Sequence, residues 1–170
     1  MLKKFNTPMR FTAIISFVIV FALSAAWAMT TYYGEITIQK HNNHDEELKL
    51  VDGLDKINIK IPAGSLNDYM AEQNINNVTV TVDLTEEWID TGDGNGYYQL
   101  NFTFGPSEAY FTPKELEVVL YGKYISDSTS VAMYDENGEL LDSRRQSSSG
   151  KLIFYVPHFS SYYYDDYDEY

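Results

Sequence analysis

Apolar and polar residues alternate with a period of two along most of this chain. Ile36 and Ile38 alternate with Glu35, Thr37 and Gln39, Leu48 and Leu50 form a shorter run, and Ile57, Ile59 and Ile61 alternate with Lys56, Asn58 and Lys60. Further on, Val78, Val80 and Val82 alternate with Thr79, Thr81 and Asp83, followed by Tyr98, Leu100, Phe102 and Phe104. Leu116, Val118 and Leu120, then Val131 and Met133, then Leu152, Phe154 and Val156 complete the series. Successive side chains of a strand point to opposite faces, so each run reads as a half-buried strand. The pattern predicts an all-β chain, an antiparallel β-sandwich of about eight strands in two packed sheets with one wet face each.

The connections agree with this. Asp135-Glu136-Asn137-Gly138 is a hairpin turn, its Asn-Gly pair supplying positive φ. Pro62-Ala63-Gly64-Ser65 ends a strand, residues 126–130 and 144–150 are polar loops, and Leu66 to Gln73 suits one short helical turn. There is no internal repeat.

The two ends read differently. Lys3, Lys4 and Arg10 precede an apolar run from Phe11 to Ala25, closed by the small-x-small site Ala26-Trp27-Ala28. Residues 1–28 therefore read as a signal peptide, with an uncleaved membrane anchor as the alternative. Residues 29–161 make the sandwich domain, and 162–170, built of Tyr, Asp and Glu alone, make a solvated acidic tail.

Removing the leader takes three of the 12 basic residues and none of the 25 acidic ones, leaving a net charge of −16. Such a surface repels nucleic acid and anionic headgroups and attracts cations or basic partners. The chain has no cysteine, so an exported domain of this size must be stabilised by packing, with or without bound ions.

Four blocks carry a resemblance to a known family. Gly34-Glu-Ile-Thr-Ile38, Ile57-Asn-Ile-Lys-Ile-Pro-Ala-Gly-Ser-Leu66, Phe104-Gly-Pro-Ser107 with Phe111 and Pro113, and His158-Phe159-Ser160 occur in the order seen in ZU-five domains. These are the β-sandwiches of zonula occludens, ankyrin and netrin-receptor proteins, with relatives in bacterial surface proteins. The resemblance spans most of Gly34 to Ser160. The chain departs from it at Ser65, where the family has alanine, and in carrying the domain alone.

The resemblance also implies a chemistry. In some ZU-five domains His-Phe-Ser is a self-cleavage site, which would make Ser160 the nucleophile, His158 the base and Phe159 the residue left with the new carboxylate. The competing reading is a structural end to the last strand. Continuing the phase of Leu152, Phe154 and Val156 would bury His158 and expose Phe159, while a bulge at Pro157 would reverse this.

Other candidate sites are weaker. Asp90-Thr-Gly-Asp93-Gly-Asn95-Gly96 has the composition of a calcium loop, with Glu86 and Glu87 as further donors alongside Asp90, Asp93 and Asn95. Its spacing fails the EF-hand pattern, because aligning Gly96 with the invariant glycine puts Thr91 first and Phe102 last. A flexible acidic turn between two strands is the favoured reading. His41 and His44 beside Asp45, Glu46 and Glu47 offer transition-metal donors on what reads as a polar loop. Asn77-Val-Thr79 and Asn101-Phe-Thr103 are glycosylation sequons. Tyr97, Tyr98, Tyr121, Tyr124, Tyr134 and Tyr155 would form a binding face if they shared one side. No phosphate-binding glycine loop, Ser-His-Asp order or zinc spacing is present.

The expectation is an exported, non-enzymatic interaction or structural module at the cell envelope or outside it. It has a protein partner, no nucleic acid, no membrane insertion once the signal is removed, and no cofactor unless calcium binds. A domain cut at Phe159–Ser160 and a calcium-dependent adhesion module are the alternatives.

Overall fold

The computed structural model describes residues 19–22, 29–90, 96–125, 132–141, 143–146 and 150–165. The strands are β1 (Ile19–Ala22), β2 (Met29–Gln39), β3 (Glu46–Val51), β4 (Ile57–Ile61), β5 (Asn77–Asp90) and β6 (Gly96–Gly105). They continue with β7 (Leu116–Tyr121), β8 (Ala132–Asp135), β9 (Ser143–Gln146), β10 (Lys151–Val156) and β11 (Ser161–Asp165). One helix, α1 (Asn67–Glu72), and a 3-10 turn at Gly122–Tyr124 complete the described elements.

The architecture is all-β and antiparallel, in two sheets. One runs β1-β2-β5-β6-β11-β8 and the other β3-β4-β7-β10-β9. Alternation places the expected apolar set inside: Ile59, Val80, Phe102, Val118 and Phe154 are all fully buried. The core is one continuous cluster from Ile36 to Tyr164. The longest strand, β5, keeps phase through Val78, Val80, Val82 and Leu84 while Asn77, Thr79 and Asp83 face water.

Gly34 shows where the two sheets close on each other. A Cβ there would lie 2.7 Å from Leu50 Cδ2 and 2.9 Å from Leu48 Cδ2, so any side chain would have to push these leucine ends aside. Beyond Gly34, β2 leans on β3. Before it, Thr30 to Tyr33 pair with β1 in the register Ile19↔Tyr33 to Ala22↔Thr30.

One expectation about the ends is changed. The acidic tail does not begin at Tyr162, because β11 inserts between β6 and β8 and buries Tyr162 and Tyr164 completely. The tyrosine rings supply the apolar area that the acidic composition conceals, and only 166–170 lie outside the described residues. At the other end, Ile19–Ala22 of the expected leader forms a strand on the β2 edge. Eleven described strands thus replace the eight anticipated, and Val131 lies outside the described residues.

The turn after β4 explains the Pro-Ala-Gly-Ser block. Ser65 N–H donates to the Pro62 carbonyl (3.1 Å), Asn67 N–H donates to the Gly64 carbonyl (3.0 Å), and Gly64 adopts φ 73°. Ser65 is buried, and among the described residues its hydroxyl has no hydrogen-bond partner. An unmatched buried hydroxyl costs about 1–3 kcal/mol, so Ser65→Ala should stabilise the protein by about 1 kcal/mol in chemical denaturation.

Candidate functional site

Three of the four sequence blocks that suggested a family converge at one place, the crossover from β10 in one sheet to β11 in the other. Phe111 N–H donates to the Pro157 carbonyl (3.0 Å) and Phe159 N–H to the Ala109 carbonyl (2.8 Å), bracketing an isolated bridge between Tyr110 and His158. Phe104 N–H donates to the Ser160 carbonyl (3.0 Å), and Thr112 N–H donates to that of Ser65 (2.9 Å). Backbone hydrogen bonds therefore link the Ser65, Phe104, Phe111 and His158–Ser160 blocks, although more than 90 residues separate the first from the last.

Phe159 is the wedge at this junction. It is 2 % exposed, stacked on Phe104 (centroids 6.2 Å, 7°) and edge-on to Phe111 (4.8 Å, 85°). The simple strand phase is overturned here: Phe159 is buried and His158 exposed. The step from buried Val156 to buried Phe159 takes three residues instead of two because Pro157 brings no N–H to continue the ladder.

The polar groups around the Phe159–Ser160 bond are few. The Tyr162 hydroxyl donates to the His158 carbonyl (2.8 Å) and lies 3.3 Å from His158 Nδ1. Burial, and then the nearby charge of Asp135, push the Tyr162 phenol above its ordinary range. Asp135 accepts the Glu139 and Asn137 N–H groups (2.8 and 2.9 Å), and the first of these leads in holding its carboxyl below the usual range. The polar partner of the His158 ring is thus Tyr162 and not Ser160.

Among the described residues the expected calcium donors Glu86, Glu87 and Asp90 are not brought together. Glu86 and Glu87 are successive on β5 and face opposite sides, Glu86 inward and Glu87 outward. Glu86 is 6 % exposed, and its carboxylate is engaged by the protein. Lys123 Nζ donates to Oε1 (2.6 Å), and Tyr124 (2.6 Å) and Tyr32 (3.4 Å) donate their hydroxyls to Oε2. Asp90 is exposed at the end of β5 and makes an interaction of its own, while Asp93 and Asn95 lie outside the described residues.

This buried acid–amine–phenol cluster was not anticipated, and its geometry has a local origin. Gly122 (φ 64°) sits so tightly against Asp55 that any side chain would collide. Asp55 Oδ1 accepts the Lys123 N–H (2.8 Å), which fixes the 3-10 turn carrying Lys123 and Tyr124 under β5. Lys123 Nζ also lies 4.2 Å from the Tyr98 ring centroid. Burial works against the Lys123 charge, but hydrogen bonding and the charge of Glu86 outweigh it and hold the ammonium above its ordinary range. Burial and Glu86 together push the Tyr124 phenol far above its own.

The histidine loop is likewise committed to protein partners. His44 Nε2 contacts Glu46 Oε1 (2.8 Å), Asp45 pairs with Lys60 (3.0 Å) and accepts the Ala63 N–H, and Glu47 accepts the Asn58 amide (2.7 Å). His41 is exposed and in the left-handed region, its N–H donating to Asn67. Among the described residues no group of three or more His, Asp or Glu side chains is arranged to hold a metal ion.

The tyrosines do not make one face. Tyr98 and Tyr124 turn inward around Glu86, Tyr97 and Tyr134 belong to one sheet, and Tyr121 and Tyr155 belong to the other. Tyr134 stacks on Tyr163 (5.1 Å, 20°). Both sequon asparagines, Asn77 and Asn101, are exposed.

No protein-family model, curated protein or solved structure matches the chain. Among the described residues no helix is long and apolar enough to cross a membrane.

Proposed function

We propose that this chain is an exported, non-enzymatic interaction or structural module of ZU-five type, working at the cell envelope or outside it and engaging a protein partner through a sheet edge. The observation that carries the proposal is the state of β2. Its second half packs Gly34 against Leu48 and Leu50 of β3, while its first half pairs with the added strand Ile19–Ala22. A strand edge that takes a further strand is a ready site for main-chain recognition. Fractionation of the host should recover the protein outside the cytoplasm. Recovery of all of it in the cytoplasm would end the proposal.

A second reading, self-cleavage at Phe159–Ser160, has one observation in its favour. The bond lies on the crossover between sheets, and β11 beyond it is paired on both sides. A cut there would leave Ser161–Asp165 held in place without a covalent link. Ser160→Ala would abolish such a cut by removing the nucleophile, and His158→Ala would slow it. The interaction of His158 with Tyr162 rather than Ser160 favours the uncut module.

A further inference from the structure

We propose that the partner supplies an extended segment that is apolar along the strand and carries Lys or Arg beside it, and that it pairs antiparallel with Thr30–Tyr33. In the precursor the leader strand β1 occupies this edge. The inference rests on the export reading above and adds the chemistry of the occupant and the event that frees the edge.

Three observations converge on it. The first is that the structure seats a strand there, Ile19–Ala22, in antiparallel register with Tyr33–Thr30. This strand lies within the segment expected to be cleaved, so removal after Ala28 would leave those main-chain groups unpaired.

The second is that the edge lacks the usual protection. Sheet edges are ordinarily blunted by Lys, Pro, bulges or inward charges. Met29–Tyr33 reads Met-Thr-Thr-Tyr-Tyr, with neither Pro nor charge, and pairs with β5 in unbroken register along its length. Past Gly34 the strand carries the charged Glu35, so the unprotected stretch is short.

The third is charge. The strands β2, β5 and β6 contain Glu35, Asp83, Glu87 and Asp90, besides the buried Glu86 that Lys123 neutralises, but no Lys or Arg. Glu87 stands opposite Met29 in the register, and Asp83 stands opposite Tyr33. A second copy of so acidic a chain would be repelled, whereas a basic flank on the incoming strand would be attracted and oriented. The leader itself has this character, an apolar strand downstream of Lys3, Lys4 and Arg10.

The test uses the chain beginning at Met29, which contains every residue of the core cluster among the described residues. Peptides with the sequence of residues 17–24 and either two lysines or two aspartates added are titrated while amide hydrogen exchange is followed. The lysine peptide should slow exchange at amides within Thr30–Tyr33 at least tenfold. Its dissociation constant should rise at least tenfold between low and high salt, and the aspartate peptide should give no protection. Equal protection by both peptides would overturn the proposed charge, and no protection by either would overturn the edge as an acceptor. Protection that appears with protein concentration alone, together with a dimer in sedimentation, would assign the edge to a second copy and overturn the partner. Intact mass of the host protein separates these from failure of the export reading: a retained leader would make β1 a permanent strand and remove the basis of both.

Discussion

Phe159→Ala should remove about 3–5 kcal/mol of stability, the range for an aromatic ring deleted from a packed interior. The ring is 2 % exposed and fills the space between Phe104 and Phe111, at the point where the chain leaves one sheet for the other. A cavity there would loosen the register of the backbone bonds that Ala109 and Phe104 share with Phe159 and Ser160. The neighbouring His158→Ala removes an exposed ring whose carbonyl still accepts the Tyr162 hydroxyl, and should cost less than about 1 kcal/mol. Chemical denaturation of the two variants should therefore separate them clearly. Equal losses would mean that Phe159 is not the wedge described.

Glu86→Ala should cost about 2–4 kcal/mol. Breaking a buried ion pair from one side typically costs about 3–5 kcal/mol, and the one-third exposure of Lys123 lowers that figure because water can reach the stranded ammonium. The Tyr124 hydroxyl would lose its acceptor as well. Glu87→Ala, one residue on but on the outer face, should be near neutral.

The cluster also sets an alkaline limit. Lys123, Tyr124 and Tyr32 are all held above their ordinary ranges, so the folded protein keeps protons that the unfolded chain releases. Their contribution is complete below about pH 10 and is lost as pH rises through the folded values. Thermal melting from neutral to strongly alkaline pH should show this loss in the wild type and a flatter dependence in Glu86→Ala. Identical slopes would remove Glu86 as its source.

Much of the fold was legible because it is local. Ile57 to Ile61 and Val78 to Val82 declare their faces by alternation, and the closing of the sandwich leaves them on those faces. The same parity, followed two residues past Leu84, would have placed Glu86 inside, although its chemistry suggested a surface ligand. Likewise Tyr162 and Tyr164 alternate with Tyr163 and Asp165, a strand signal outweighed by the acidic composition around it.

Other features had no local signal. The partners of Glu86 lie 37 and 38 residues away on a turn fixed by Gly122, and spacing along the chain does not bring them together. The three-block junction is similar: the residues of each block were visible, but their meeting at Phe159 depends on the route of the chain between sheets.

On the proposed function, an exported, uncut sandwich is released from its leader and presents the start of β2 to a partner. Intact mass, under denaturing conditions, of the protein purified from its own host tests this. A single mass corresponding to Met29–Tyr170 is expected. A full-length mass would contradict it by leaving the leader, and with it β1, in place, and two masses meeting at Phe159–Ser160 would show a self-processing domain instead.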